Sequence, residues 1–218
     1  VYFQYAESKN KKYDELPDIV NSYMENINEI TGRNYKPFNY YGSPKAENII
    51  VAMGSICETI KETIDYLNSQ GLEFGLIEVH LYRPFSTKYF LKVLPSSVKR
   101  IAVLDRTKEN GSNAPLYLDV LNVVSKDINV VGGRYGLSSK NTTPAYIDAI
   151  YKMLENSLVN NFTIGIEDDV TNKSLKPTDL RINKHKEFLI VGFGSDGMVS
   201  ASKSIMKIVG NNTDKDVQ

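Results

Sequence analysis

Cysteine and histidine are nearly absent from the 218 residues: Cys57 stands alone, and His80 and His185 are the only histidines. One thiol excludes an internal disulfide, and by itself it supports neither an iron–sulfur cluster nor a structural zinc, which take about four ligands. The two histidines lie far apart without ligand spacing, so strand-end or surface roles are expected and no metal site. Neither sign of charge is in excess, with 26 Lys plus Arg against 26 Asp plus Glu. A nucleic-acid or anionic-membrane partner is therefore not indicated. No stretch reaches the ~20 apolar residues of a membrane span. The opening VYFQYAESKN lacks the basic head and apolar body of a signal peptide. A cytoplasmic protein without membrane partners is the expectation.

What the chain does hold is apolar content of 41%, enough for a core in one or two domains. Residues 1–46 read as an N-terminal helix and strap. Ile19, Tyr23, Ile27 and Ile30 keep helical spacing after Pro17, Gly32 is placed to stop the helix, and NYKPFNYYGSP reads as an aromatic connector. From Glu47 short apolar runs (NIIVAM, FGLIEVHLY, RIAVLD, INVVGG) alternate with amphipathic segments. That alternation predicts a mainly parallel sheet covered on both faces, an α/β domain over residues 47–158. Ile56, Ile60, Ile64 and Leu67 make one helical stripe, opened by Ser55 with Glu58 three residues on, a capping-box pattern, and closed near Gly71. Ser86 and Thr143 are placed to cap two further helices, the second with Pro144 at its first position. APLYLDVLNVV supplies another apolar helix or strand-like run. Residues 159–186, with a strand-like FTIGI and a polar tract, read as a connector with at most one hairpin, and residues 187–218 as the start of a second α/β unit.

That last unit carries the sharpest motif. Gly192, Gly194 and Gly197 give G-x-G-x-x-G spacing between the apolar EFLIVGF and a helical pattern through Val199, Ser202, Ile205 and Ile208. Glycines let backbone approach a phosphate, and a helix N-terminus favours an anion. A complete dinucleotide fold needs a second strand bearing an acidic residue about 20 positions on. Asp214 and Asp216 lie at that distance, but in the polar GNNTDKDVQ. The reading is therefore a truncated strand-loop-helix.

Several long stretches, collinear over almost the whole chain, point to one family: YYGSPKAENIIVAMGSICETIKETIDYLNSQG, VHLYRPFS, AVLDRTKENGSNAPLYLDV, GGRYGLSSKNTTPAYI and VGFGSDGMVSASKSIMKIVG. Together they resemble the pyruvate:ferredoxin (flavodoxin) oxidoreductases, from the second domain into the opening of the third. The likeness weakens at Asn110, Ser138, Met198, Ser200 and Ser202, while the glycine frame is kept. It implies a three-layer α/β domain like the transketolase C-terminal domain. It also implies that the chain is an internal fragment of a large homodimeric enzyme using thiamine diphosphate, Mg2+, iron–sulfur clusters and coenzyme A. That enzyme converts pyruvate to acetyl-coenzyme A and carbon dioxide and passes electrons to ferredoxin or flavodoxin.

The resemblance makes Gly194, Ser195, Gly197 and Lys203 candidates for the coenzyme A neighbourhood, with no catalytic residue and no metal ligand in the chain. Asp196 reads as a helix cap, since a carboxylate repels phosphate but satisfies an exposed N–H. Arg83 and Arg106 follow strand ends and are expected to pair with carboxylates or carbonyls. Arg134 is expected to be aimed across an interface by a tight turn at Gly132 and Gly133, and Cys57 reads as a packed thiol. No G-D-G thiamine diphosphate motif and no cysteine-rich cluster domain occur. The leading expectation is a structural, domain-docking portion, inactive alone, whose partners are the remaining domains of the enzyme. The alternatives are an independent coenzyme A- or nucleotide-binding module and a self-standing thiamine enzyme subunit. Residues 187–218 are expected to pack on, or swap with, a neighbouring molecule.

Overall fold

The computed structural model describes residues 1–137, 140–182, 188–215 and 217. Two compact units divide the chain, Val1–Ile182 and Asn183–Gln218.

The first unit is built on one sheet. Its strands are β1 (Phe38–Gly42), β2 (Asn48–Ala52), β3 (Phe74–Val79), β4 (Arg100–Asp105), β5 (Asn129–Arg134), β6 (Phe162–Ile164) and β7 (Ser174–Leu175), and they lie in the order β1-β3-β2-β4-β5-β6-β7. All neighbours run parallel except β1, which pairs antiparallel with β3. Every residue of β2 is buried, as a central strand covered on both faces requires. Successive side chains of such a strand point to opposite faces. Ile50 and Ala52 accordingly join a core beneath α2 (Ile56–Ser69) and α5 (Pro144–Asn156), while Ile49 and Val51 join one beneath α3 (Thr87–Val93) and α4 (Pro115–Val123). The result is the three-layer α/β architecture that the alternating pattern predicts. Each fully buried Ile or Leu contributes roughly 1.5–3 kcal/mol, so truncating Ile50 would remove a sizeable share of the domain's stability.

The first half of the chain and its connector refine the sequence reading at several points. The first helix, α1 (Tyr2–Thr31), begins well before Pro17 and carries that proline in its interior as its one buried residue. Gly32 ends it as expected, with φ 69° and its N–H donated to the Asn28 carbonyl. The aromatic strap contains β1, and the segment read as a connector contains β6 and β7, which pair parallel and so form no hairpin. At α2 the Ser55 and Glu58 side chains make no capping bond. Glu58 accepts instead from Lys61 Nζ at 3.0 Å.

The second unit holds α6 (Met198–Asn212) behind the glycine loop. Phe188–Phe193, expected as a strand, forms none. A strand exists only through ladder partners for its N–H and C=O groups, and among the described residues nothing pairs with this segment. No helix among the described residues is long and apolar enough to cross a membrane.

Candidate functional site

The glycine loop is wound around its own carboxylate. Gly194, Ser195 and Gly197 have φ of 80°, 49° and 82°, left-handed values that glycine adopts most readily. Asp196 then places Oδ2 to accept from the Phe193 N–H at 2.7 Å and Oδ1 to accept from the Met198 N–H at 3.0 Å. The Met198 N–H, and after it the Phe193 N–H, hold the Asp196 carboxyl below the usual carboxylate range. A side chain at Gly192 would meet Asp196 Oδ2 and Met198 Cβ, both at 2.9 Å. The cap expected of Asp196 is thus made. Its oxygens occupy two of the amides an anion would use, leaving a pocket lined by Ile190, Gly194, Ser195 and Gly197. Ser202 turns its hydroxyl back onto the Met198 carbonyl at 2.7 Å. Lys203 is exposed in the second turn of α6, beyond the loop that gathers the other three candidates.

The strand-end arginines have structural partners. Arg83 Nη1 lies 2.5 Å from Asp119 Oδ2, and its guanidinium sits 4.0 Å from the centre of the Tyr82 ring. Arg106 donates to the Gly136 carbonyl at 3.2 Å. Arg134 ends β5 in register with Asp105. The tight turn expected at Gly132 and Gly133 is not there. Both lie within β5, where the rings of Tyr117 and Phe162 occupy the space a Cβ would need. These glycines serve the packing of aromatics on the sheet, which a local reading of GGR could not show.

Asp105 was not singled out by the sequence reading. It is a buried carboxylate at the end of β4 that accepts from the backbone N–H groups of Leu116 and Tyr117, both at 3.2 Å. Burial raises its pKa, and those two bonds oppose the rise. Its role is to cap the N-terminus of α4. The available signal was an acid closing an apolar strand ten residues before Pro115.

Cys57 is fully buried, and burial pushes its thiol up to about 12; it is the packed thiol expected of it. His80 is mostly buried beside the Tyr35 ring, and its Nε2, 3.4 Å from Glu78 Oε2, makes no hydrogen bond. His185, Ser138, Glu187 and Asp216 lie outside the described residues. Among the described residues, no group of three or more His, Cys, Asp or Glu gathers as metal ligands.

Comparison with known proteins decides the kinship of this sheet. Residues 46–147 match the model of the pyruvate:ferredoxin oxidoreductase core domain II. The pyruvate-flavodoxin oxidoreductase of Enterobacter agglomerans is 50% identical over 223 residues, which cover 98% of this chain. The chain belongs to the pyruvate:ferredoxin oxidoreductase family. The pyruvate:ferredoxin oxidoreductase of Moorella thermoacetica is likewise 50% identical over 222 residues. The pyruvate dehydrogenase [NADP(+)] of Cryptosporidium parvum is 48% identical over the whole chain. The chain spans 19% of the length of the first two relatives and 12% of the third. Among solved structures, the 2-oxoglutarate:ferredoxin oxidoreductase from Magnetococcus marinus with 2-oxoglutarate, coenzyme A and succinyl-CoA bound matches 56% of this chain and 19% of that one. Its identity of 18% and TM-score of 0.42 leave it too distant to inform the site. Core domain II thus accounts for the sheet from just before β2 into α5, while α1, β1, β6, β7 and α6 lie outside the matched residues.

Proposed function

We propose that this chain is an assembly module of a cytoplasmic, thiamine-diphosphate-dependent pyruvate:ferredoxin or flavodoxin oxidoreductase. In that enzyme pyruvate and coenzyme A become acetyl-coenzyme A and carbon dioxide, and the electrons released pass to ferredoxin or flavodoxin. The observation that carries the reading is half-identity along 98% of the chain with two pyruvate oxidoreductases of which it spans 19%.

The module's work is structural. A sheet buried on both faces holds the strand ends in fixed register, and Asp105 and the Arg83–Asp119 pair fix the loops above it. The coenzyme A neighbourhood we assign to Gly194, Ser195, Gly197 and Lys203. Their fit to a phosphate is partial, because the Asp196 carboxylate already accepts from two loop amides. When bound there, coenzyme A would supply the thiol that accepts the acetyl group. The chain's part is to present backbone donors and the Lys203 cation to its phosphates. Among the described residues no group of three or more His, Cys, Asp or Glu gathers to hold Mg2+, the sequence has no G-D-G motif for thiamine diphosphate, and its one thiol, buried in the core, supports no iron–sulfur cluster. We assign these three groups to other parts of the enzyme, which is taken to be a homodimer.

The exposed Phe188, Leu189, Val191 and Phe193 supply the apolar surface for which a swap or packing contact with a neighbouring molecule is proposed. Pyruvate-dependent dye reduction by the purified chain, with thiamine diphosphate, Mg2+ and coenzyme A added, is the test. No turnover is expected, and turnover would show a self-standing enzyme. Calorimetric titration with coenzyme A separates the remaining alternative, since micromolar binding would make the chain an independent binding module.

A further inference from the structure

We propose that Asn110 is a self-modifying site, at which the backbone nitrogen of Gly111 attacks the side-chain amide and converts the residue to aspartate and isoaspartate. Asn110 is the only asparagine in the sequence that is followed by glycine. It lies in the loop between β4 and α4, where every residue from Arg106 to Ser112 is exposed. The Ser112 N–H donates to the Glu109 carbonyl at 3.1 Å and closes a turn with Asn110 and Gly111 at its centre. Gly111 has φ 74° while Asn110 is not left-handed, the pattern of a type II turn. Such a turn uses the N–H of Ser112 and leaves that of Gly111 free. Among the described residues neither the Gly111 N–H nor the Asn110 side chain has a hydrogen-bond partner. A Cβ at Gly111 would meet nothing within 4 Å, so the peptide between the two residues has room to turn its nitrogen onto Cγ.

The chemistry needs only water. The Gly111 nitrogen gives up its proton and bonds to Asn110 Cγ; the bond from Cγ to Nδ2 breaks, and ammonia leaves carrying the proton. The product is a five-membered cyclic imide. Water then adds to one of its two carbonyls. Opening on one side returns a normal main chain with aspartate, and opening on the other routes the main chain through the side-chain carboxyl as isoaspartate. One water is consumed, one ammonia is released, and nothing is oxidised or reduced. Because the attacking nitrogen must be deprotonated, the rate rises with pH.

The fold singles out this asparagine. Asn21, Asn68 and Asn156, each followed by serine, lie in α1, α2 and α5, where helical hydrogen bonding holds the backbone. Their side chains are also tied: Asn21 donates to Glu25 at 2.8 Å, Asn156 to the Lys152 carbonyl at 2.8 Å, and Asn68 exchanges two bonds with the Phe74 backbone. Asp196, which also precedes a glycine, has both oxygens occupied by loop amides. Asn110 alone combines a following glycine, an unengaged side chain and an exposed turn. Each conversion adds one negative charge beside Glu109 to a chain whose formal net charge is zero. The isoaspartyl form is a substrate for a methyltransferase that recognises that linkage.

Incubation of the folded chain at mildly alkaline pH tests it, followed by isoelectric focusing, peptide mapping by mass spectrometry and methyl labelling with an isoaspartyl methyltransferase. An acidic form should grow in, faster as pH rises, with the change and the label in the peptide holding residue 110. Asn110→Gln, which would have to close a larger ring, and Gly111→Ala, which crowds the attacking nitrogen, should each slow it by more than about tenfold. Both variants should keep the parent melting temperature, since the loop is exposed. In urea Asn21, Asn68 and Asn156 should begin to convert, while the rate at Asn110 changes by less than about tenfold. An Asn110 that stays intact in the folded chain, prior conversion of another asparagine, a rate independent of pH, an acidic form that persists at the parent rate in Asn110→Gln, or a larger acceleration at Asn110 on unfolding would each overturn the proposal.

Discussion

The hydroxyl of Tyr151 donates to the carbonyl of Gly75 at 2.9 Å and so fastens α5 to β3, two elements far apart in the chain. The same ring stacks on Phe74 with centroids 4.2 Å apart and planes 15° from parallel, fully buried. Two kinds of stabilisation meet in one side chain, and substitutions separate them. Tyr151→Phe removes only the hydroxyl and should cost about 1 kcal/mol, since stacking and volume are kept. Tyr151→Ala leaves a cavity and should cost about 3–5 kcal/mol. Urea unfolding of both variants checks the order, and equal losses would mean that the hydrogen bond, and not the packing, dominates.

Gly133 lies against the ring of Phe162, which fills the place of a Cβ. Gly133→Ala must displace that ring or bend β5, and destabilisation of about 1–3 kcal/mol is expected. Shrinking the opposing residue should recover part of it, so the double variant Gly133→Ala, Phe162→Leu is expected to lose less than the sum of its two single changes. Additive losses in thermal melts would show that the two sites do not compete for the same space.

His80 gives the fold a pH dependence of defined sign. Burial holds its imidazole below the ordinary value of 6.5; the Glu78 carboxylate pulls upward and the Lys61 ammonium downward. As pH falls through that value, the unfolded chain takes up a proton before the folded one does. Stability is therefore complete above it and declines below it, until the folded imidazole itself protonates. The slope from this group should stay under about 1.4 kcal/mol per pH unit. His80→Gln should flatten the decline between neutral and mildly acidic pH in urea titrations. An unchanged slope would assign the acid sensitivity to other groups.

The layers of the fold were legible because they follow from period alone. The apolar run of β2, the stripe Ile56–Ile60–Ile64–Leu67 and the stop at Gly32 are local patterns, and the structure keeps all three. What escaped depends on partners distant in sequence. β1 is a strand because Tyr40 and Tyr41 lie across from Ile77 and Leu76. Gly132 and Gly133 are small because Tyr117 and Phe162 lean on them. Phe188–Phe193 has the composition of a strand but no described neighbour to pair with. At the glycine loop the spacing of Gly192, Gly194 and Gly197 and the cap by Asp196 were readable. That both oxygens of that carboxylate would be engaged by loop amides was not, since it depends on the left-handed backbone at Ser195.

An exchange of parts tests the central claim most directly. The stretch of the Moorella thermoacetica pyruvate:ferredoxin oxidoreductase that matches this chain at 50% identity over 222 residues would be replaced by the chain itself, and pyruvate-dependent ferredoxin reduction measured in the chimera. If these residues are an assembly module of such an enzyme, the chimera folds and turns over pyruvate. A chimera that folds and binds thiamine diphosphate but reduces no ferredoxin would contradict the account.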